Sequence, residues 1–168
     1  GSGAIGIEFA YFYNTMGTKV TIVEYLPNIV PNEDQDISKE LMKSLKKKGI
    51  EILTESSVEK VIEENNKSTV IIKTKSGEKE LSADVVLSAV GITPNTQDIG
   101  LESLKIGLKD GRIIVDEYYN TNIEGYYAIG DVIQGPALAH VASAEGIVCV
   151  EKIAGLNTEP IDYNNVPG

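Results

Sequence analysis

The sequence has one cysteine, Cys149, one histidine, His140, and one arginine, Arg112. A lone cysteine excludes a disulfide within the chain and fits a reducing compartment. It also stands mid-helix among Ile147, Val148 and Val150, where a buried, inert thiol is expected. Basic residues are scarce: 15 lysines and arginines face 25 aspartates and glutamates, giving a formal charge of −10 that argues against nucleic acid or anionic membrane as a partner. No apolar run approaches the ~20 residues of a membrane span, and no metal site is expected. Hydrophobic residues at 42% and charged residues at 24% are ordinary globular values, so the bulk properties predict a folded, soluble, cytoplasmic chain.

What is present begins abruptly. Residue 1 already lies inside a motif with no strand before it, and Asn164-Asn165-Val166-Pro167-Gly168 reads as loop. The sequence is therefore expected to be an internal segment of a larger protein, with apolar surface and open sheet edges where a first strand is missing.

Residues 4–16 carry apolar side chains on most faces and stop at Gly17, as a buried helix does. Lys19–Glu24 reads as a β-branched strand. Asp34 and Asp36 open a helix with Ile37, Leu41, Met42 and Leu45 on one side, closed by Lys46–Lys48 and Gly49. Ile50–Leu53 is a short strand, and 58–74 with the Ser76-Gly77 turn is a strand-rich insertion. The apolar run 83–91 predicts a buried returning strand. The pattern is α/β: one Rossmann-like nucleotide-binding lobe with a β-rich insertion. After Asn95 the character changes. Tyr127-Ala128-Ile129 reads as a short strand entering Gly130-Asp131, and Pro136 opens a helix reaching about Ala154 and stopped by Gly155. Two domains are expected, residues 1–97 and 98–168.

Two constellations carry chemistry. Gly1-Ser2-Gly3-Ala4-Ile5-Gly6 has the spacing of a dinucleotide turn: glycines permit the tight turn, close approach of a pyrophosphate, and helix–strand packing. The helix N-terminus offers free N–H groups to phosphate. Glu24, at the end of the next strand, suits a ribose 2′-hydroxyl and repels a 2′-phosphate, and Arg112 is remote in sequence, so NAD is favoured over NADP. The second constellation is TNIEGYYAIGD, residues 121–131, followed by Ala137-Leu138-Ala139-His140. Alone it reads more simply as a buried strand with a turn aspartate, followed by a helix whose histidine is incidental. The tyrosines of Tyr11-Phe12-Tyr13 and Tyr118-Tyr119 are read as packing.

Together GSGAIGIE, Glu24, VGITPNT, YYAIGD and ALAHVASAEG resemble the flavoprotein disulfide reductases, which are FAD/NAD-linked pyridine nucleotide-disulfide oxidoreductases. Within that family the pattern is most similar to the dihydrolipoyl dehydrogenase branch. The resemblance implies a flavoprotein with two dinucleotide-binding domains. It places NAD at Gly1–Glu8 with Glu24 on the adenosine ribose, and Val58 and Gly91 along the adenine and nicotinamide ends. Glu8 matches the glutamate that the family pairs with a lysine beside the flavin. Asp131 would accept a hydrogen bond from the FAD ribityl chain, and Ala137, Leu138, Ala139 and His140 would present main-chain N–H groups to the flavin ring. His140 is thus not the general base. The redox cysteine pair and the His–Glu pair of the family lie outside this sequence, so this segment alone is expected to be inactive. The implied partners are the dihydrolipoyl groups of 2-oxo acid dehydrogenase or glycine cleavage complexes, with a homodimer as the working unit.

One departure bears on substrate. Gly91-Ile92-Thr93-Pro94-Asn95 lacks the arginine found at this place in many lipoamide dehydrogenases. An NADH oxidase or a coenzyme A disulfide reductase of the same family is therefore the alternative. An independent NAD-binding module without redox chemistry is a third reading, opposed by the YAIGD and LAH segments.

Overall fold

The computed structural model describes residues 1–167. They form two compact units, Gly1–Gly91 and Ile92–Gly168, each with its own core.

In the first unit α1 (Ala4–Thr15) leads to β1 (Thr21–Val23), α2 (Gln35–Lys47) and β2 (Glu51–Leu53). β1 and β2 pair in parallel, Ile22 beside Ile52, with α2 as the crossover. Asp34 caps α2 by accepting from the Asp36 N–H at 2.8 Å, and Lys46 and Lys47 occupy the last turn, where cations suit the helix dipole. Ile7 and Ala10 of α1 and Leu45 of α2 join Ile22, Ile29 and Ile50 in one buried cluster. The insertion is an antiparallel meander of β3 (Ser57–Glu64), β4 (Lys67–Thr74) and β5 (Gly77–Ala83). Asn65 and Asn66 take φ of 52° and 61°, the left-handed pair that a two-residue hairpin needs.

Three expectations fail in this unit. Residues 84–90 form no strand, and Val85 and Val90 are 82% and 81% exposed. The run is apolar enough for a sheet centre, but no strand among the described residues lies beside it to accept its hydrogen bonds. α1 is not a buried helix: Ile5, Phe9, Phe12 and Tyr13 are exposed, and only Gly6, Ile7 and Ala10 face the core. Ile37 is likewise exposed, because Ser38 takes the inward place in that turn, 1% exposed with its hydroxyl donating to the Ile29 carbonyl at 2.7 Å.

In the second unit α3 (Leu101–Leu104) precedes the hairpin β6 (Leu108–Lys109) and β7 (Arg112–Ile113). Asp110 and Gly111 make its turn, at φ of 51° and 76°. A 3₁₀ turn, Gly130–Val132, leads to α4 (Ala139–Ile153), and a second, Tyr163–Asn165, closes the unit. Its core gathers Leu101, Ile106, Ile113, Tyr119, Ala128, Ile133 and Cys149. The strand expected at 127–129 is reduced to a single bridge, Asn120 with Tyr127, plus the Ala128 N–H donated to the Tyr119 carbonyl. Its partner segment turns away at Asp116, whose carboxylate accepts from the N–H groups of Tyr118 and Asn120. The helix starts at Ala139 rather than Pro136, because the Leu138 N–H is taken up by the Pro136 carbonyl in a tighter turn. Gly155 ends it as expected, at φ of 76°.

Candidate functional site

The first constellation folds into a turn in which each glycine has a distinct reason. Gly1 lies beside the end of β1, its N–H donating to the Val23 carbonyl at 2.9 Å. A Cβ on Gly1 would lie 2.1 Å from the Ala89 carbonyl oxygen, and one on Gly6 would lie 2.3 Å from the Gly1 carbonyl oxygen. Both positions therefore admit no side chain without moving backbone. At Gly3 a Cβ would meet nothing within 4 Å, so the missing side chain there leaves open space above the helix start. Gly3 is the N-cap of α1 and gives no side-chain cap, and the first turn holds no acidic residue. Among the described residues the N–H groups of Ala4, Ile5 and Gly6 have no partner, the condition for binding an anion at a helix start. The donor set and the open face fit a dinucleotide pyrophosphate.

Glu24 is buried at the carboxyl end of β1, 7% exposed. One carboxylate oxygen accepts from both the N–H and the hydroxyl of Ser2, at 2.8 and 2.6 Å. The other accepts only from the Leu26 N–H at 2.8 Å, leaving a lone pair for a ligand hydroxyl. Burial pushes this carboxyl up, but the bonds from Leu26 and Ser2 outweigh it and hold it below the ordinary value. The glutamate stays ionised, and so remains an acceptor. The Ser56 N–H donates to the Glu24 carbonyl at 2.9 Å, which carries the start of β3, and Val58 with it, to this end of the sheet. Val58, Glu8 and Gly91 are exposed, and Gly91 takes φ of 130°. Glu8 makes no hydrogen bond among the described residues.

In the second unit Asp131 is exposed within the 3₁₀ turn Gly130–Val132. Leu138 is the N-cap of α4, with no side-chain cap and no acid in the first turn. The N–H groups of Ala139, His140 and Val141 are therefore free among the described residues, again an anion-favouring arrangement. Ala137 lies in the loop just ahead. The His140 ring approaches the Pro167 carbonyl at 3.2 Å and is otherwise exposed. Cys149 is buried, and burial raises its thiol pKa.

Sequence reading missed the residues that hold this second turn. Glu145, 1% exposed, accepts the Gly130 N–H at 2.6 Å and the Tyr163 hydroxyl at 2.8 Å. Burial, with the Tyr119 hydroxyl and the Glu145 carboxylate, pushes the Tyr163 phenol well above its usual 10, so it remains a donor. Arg112 donates to the carbonyls of Asp131 and Ile133 at 2.7 and 3.1 Å. A signal for Glu145 was available: Val141, Glu145 and Cys149 form one buried stripe of α4, and a carboxylate in an apolar stripe needs partners.

The model of the family "Pyridine nucleotide-disulphide oxidoreductase" matches residues 1–146. Dihydrolipoyl dehydrogenase from Rhizobium etli is 48% identical over 170 residues, covering 100% of this chain and 35% of that protein. The enzyme of the same name from Mycobacterium leprae is 46% identical, covering 99% of this chain and 36% of its own length. The HOCl-induced flavoprotein disulfide reductase RclA from Escherichia coli superimposes with a TM-score of 0.86 at 27% identity, covering 95% of this chain and 36% of RclA. The chain thus spans about a third of the length of the curated relatives it matches. A family match over most of the chain, on a glycine turn whose shape follows from its sterics, makes this chain a member of the pyridine nucleotide-disulphide oxidoreductase family.

Proposed function

We propose that this chain supplies the NAD-binding lobe (residues 1–97) and the returning segment of the FAD-binding domain (residues 98–168) of a dihydrolipoyl dehydrogenase. The observation that carries the reading is the Gly1–Gly6 turn: closed to side chains at Gly1 and Gly6, open at Gly3, and backed by an ionised Glu24. In this reading the N–H groups of Ala4, Ile5 and Gly6 hold the pyrophosphate, and the free lone pair of Glu24 takes the adenosine ribose hydroxyl. A 2′-phosphate at that carboxylate is repelled, and the one arginine is committed to the carbonyls of Asp131 and Ile133, so NAD is preferred to NADP. Val58 flanks the adenine end, while Gly91 and Glu8 belong to the nicotinamide end.

Asp131 holds the ribityl chain of FAD as hydrogen-bond acceptor. The segment Ala137-Leu138-Ala139-His140 directs the N-terminus of α4 at the flavin ring, where its dipole stabilises negative charge. Bound flavin would supply two-electron transfer between a dithiol, by way of a disulfide outside this chain, and NAD. The net reaction is dihydrolipoamide plus NAD⁺ to lipoamide, NADH and a proton. Within this chain the residues orient and electrostatically tune the cofactors. The same reading implies a cytoplasmic homodimer serving lipoylated 2-oxo acid dehydrogenase or glycine cleavage complexes. No helix among the described residues is long and apolar enough to cross a membrane.

The test is a substrate panel on the full-length protein that contains this chain. NADH production from dihydrolipoamide is expected, with NADP supporting less than about a hundredth of that rate. Turnover with molecular oxygen or coenzyme A disulfide, and none with lipoamide, would instead establish the NADH oxidase or coenzyme A disulfide reductase reading. The observation favouring that alternative is the missing arginine in Gly91-Ile92-Thr93-Pro94-Asn95.

A further inference from the structure

We propose that Glu145 is a positioning residue for the flavin site: its buried carboxylate ties α4 to the Gly130 N–H and thereby fixes the turn that presents Asp131. The inference rests on the proposed FAD role of Asp131.

Several features meet at this turn. Gly130 stands at φ of 74°, a left-handed state that glycine adopts readily and a residue with a Cβ does not. Its N–H points inward and finds only the Glu145 carboxylate, at 2.6 Å. The other carboxylate oxygen accepts from Tyr163 at 2.8 Å, and the Tyr163 hydroxyl lies 3.1 Å from that of Tyr119, which is 2% exposed. Glu145 is thus oriented from its far side by a chain of phenols. Beyond Asp131, Arg112 holds the carbonyls of Asp131 and Ile133, and the Ile133 N–H donates to the Gly130 carbonyl at 3.0 Å. The main chain is clamped on both sides of Asp131, while the Asp131 side chain is left exposed.

The helix packs tightly against this turn. A Cβ on Gly130 would lie 3.3 Å from the Ala142 methyl, and one on Gly146 would lie 3.3 Å from a methyl of Ile129. α4 and the 129–130 backbone therefore approach closely, and a carboxylate at Glu145 is what spans the remaining polar gap. One helix, α4, then carries both the Glu145 anchor and, at its first turn, the N–H groups of Ala139 and His140, which have no partner among the described residues. The two proposed flavin contacts in this unit share one frame.

The test uses the full-length holoprotein with E145A, E145Q, Y163F and D131A. FAD affinity is measured by reconstituting the apoprotein, the flavin environment by visible circular dichroism, and the turn itself by hydrogen exchange across residues 127–133. E145A is expected to weaken FAD binding roughly ten- to hundred-fold and to speed exchange at Gly130, since a charge-assisted bond is lost and a buried N–H orphaned. E145Q keeps an acceptor oxygen and is expected within about threefold of wild type, whereas a further variant, E145M, keeps the volume without an acceptor and is expected to resemble E145A. Y163F frees one carboxylate oxygen and is expected to weaken FAD about three- to tenfold with an altered flavin dichroism. Unchanged FAD affinity in E145A alongside a damaged D131A overturns the proposal while the flavin reading stands. Unchanged affinity in D131A sinks the flavin reading and this inference with it. Should E145A fail to fold, unchanged affinity and dichroism in Y163F overturn the proposal, as does an E145Q that folds normally and loses FAD.

Discussion

Each unit places an exposed turn beside a helix with an uncapped start, and each secures that turn with a buried glutamate, but the two glutamates come from opposite directions. In Gly1–Gly91 the carboxylate is Glu24, at the end of the strand after the helix, and it grips Ser2 inside the glycine turn. In Ile92–Gly168 it is Glu145, on the helix after the turn, and it grips the Gly130 N–H. Both oxygens of each carboxylate accept from protein donors, three bonds at Glu24 and two at Glu145. A carboxylate beside a ligand turn can therefore be both support and ligand, or support alone. Access separates the two: Glu24 is 7% exposed at the end of β1, whereas Glu145 is 1% exposed in the buried stripe of α4.

The largest way to break this comparison is steric. Gly6→Ala sets a Cβ 2.3 Å from the Gly1 carbonyl oxygen and is expected to abolish measurable NAD binding in the full-length protein, with a loss of roughly 3 kcal/mol or more in stability. NADH fluorescence titration and thermal unfolding check it. Gly3→Ala, with nothing within 4 Å, is expected to fold normally and weaken NAD only, because its Cβ intrudes on the ligand's space.

Next, Glu24→Ala leaves the Ser2 N–H, the Ser2 hydroxyl and the Leu26 N–H without their acceptor. NAD affinity is expected to fall about ten- to hundred-fold while FAD content is unchanged. Equal loss of both cofactors would show that the two turns are not independent.

A smaller effect follows from pH. The folded Glu24 carboxyl sits below its ordinary 4.5, so its stabilisation is fully present above 4.5 and is lost as pH falls through the lower folded value. The urea midpoint difference between wild type and Glu24→Gln is expected to be constant near neutrality and to shrink in acid. A difference that grows in acid would contradict the assigned direction. Smallest of all, burial raises the Cys149 thiol, so alkylation of the native protein at neutral pH is expected to be at least about tenfold slower than of the unfolded chain, by mass spectrometry.

These contrasts also explain what was legible in advance. The α2 caps at Asp34 and Gly49 and the glycine spacing are local, set within a few residues by backbone sterics and helix-end polarity. The run 83–91 was misread because apolar composition reports only the wish to be buried, and burial needs a neighbour that composition does not supply. α1 failed for the same reason: its apolar faces outnumber the surfaces these residues offer it. In the second unit the tyrosines were read as generic packing. Tyr119 does pack in the core, yet its hydroxyl also meets that of Tyr163, a pairing across more than forty residues that no local pattern announces.

The sequence by itself determined the α/β pattern, the Gly1–Gly6 turn, the acid at Glu24 and the helix stops at Gly17, Gly49 and Gly155, because each depends on short-range sterics and electrostatics. Only the tertiary structure decided which carboxylate supports which turn. Glu145, Tyr163 and Arg112 act on Gly130 and Asp131 through space, and a buried hydrogen bond selects its partner by distance and desolvation rather than by position along the chain.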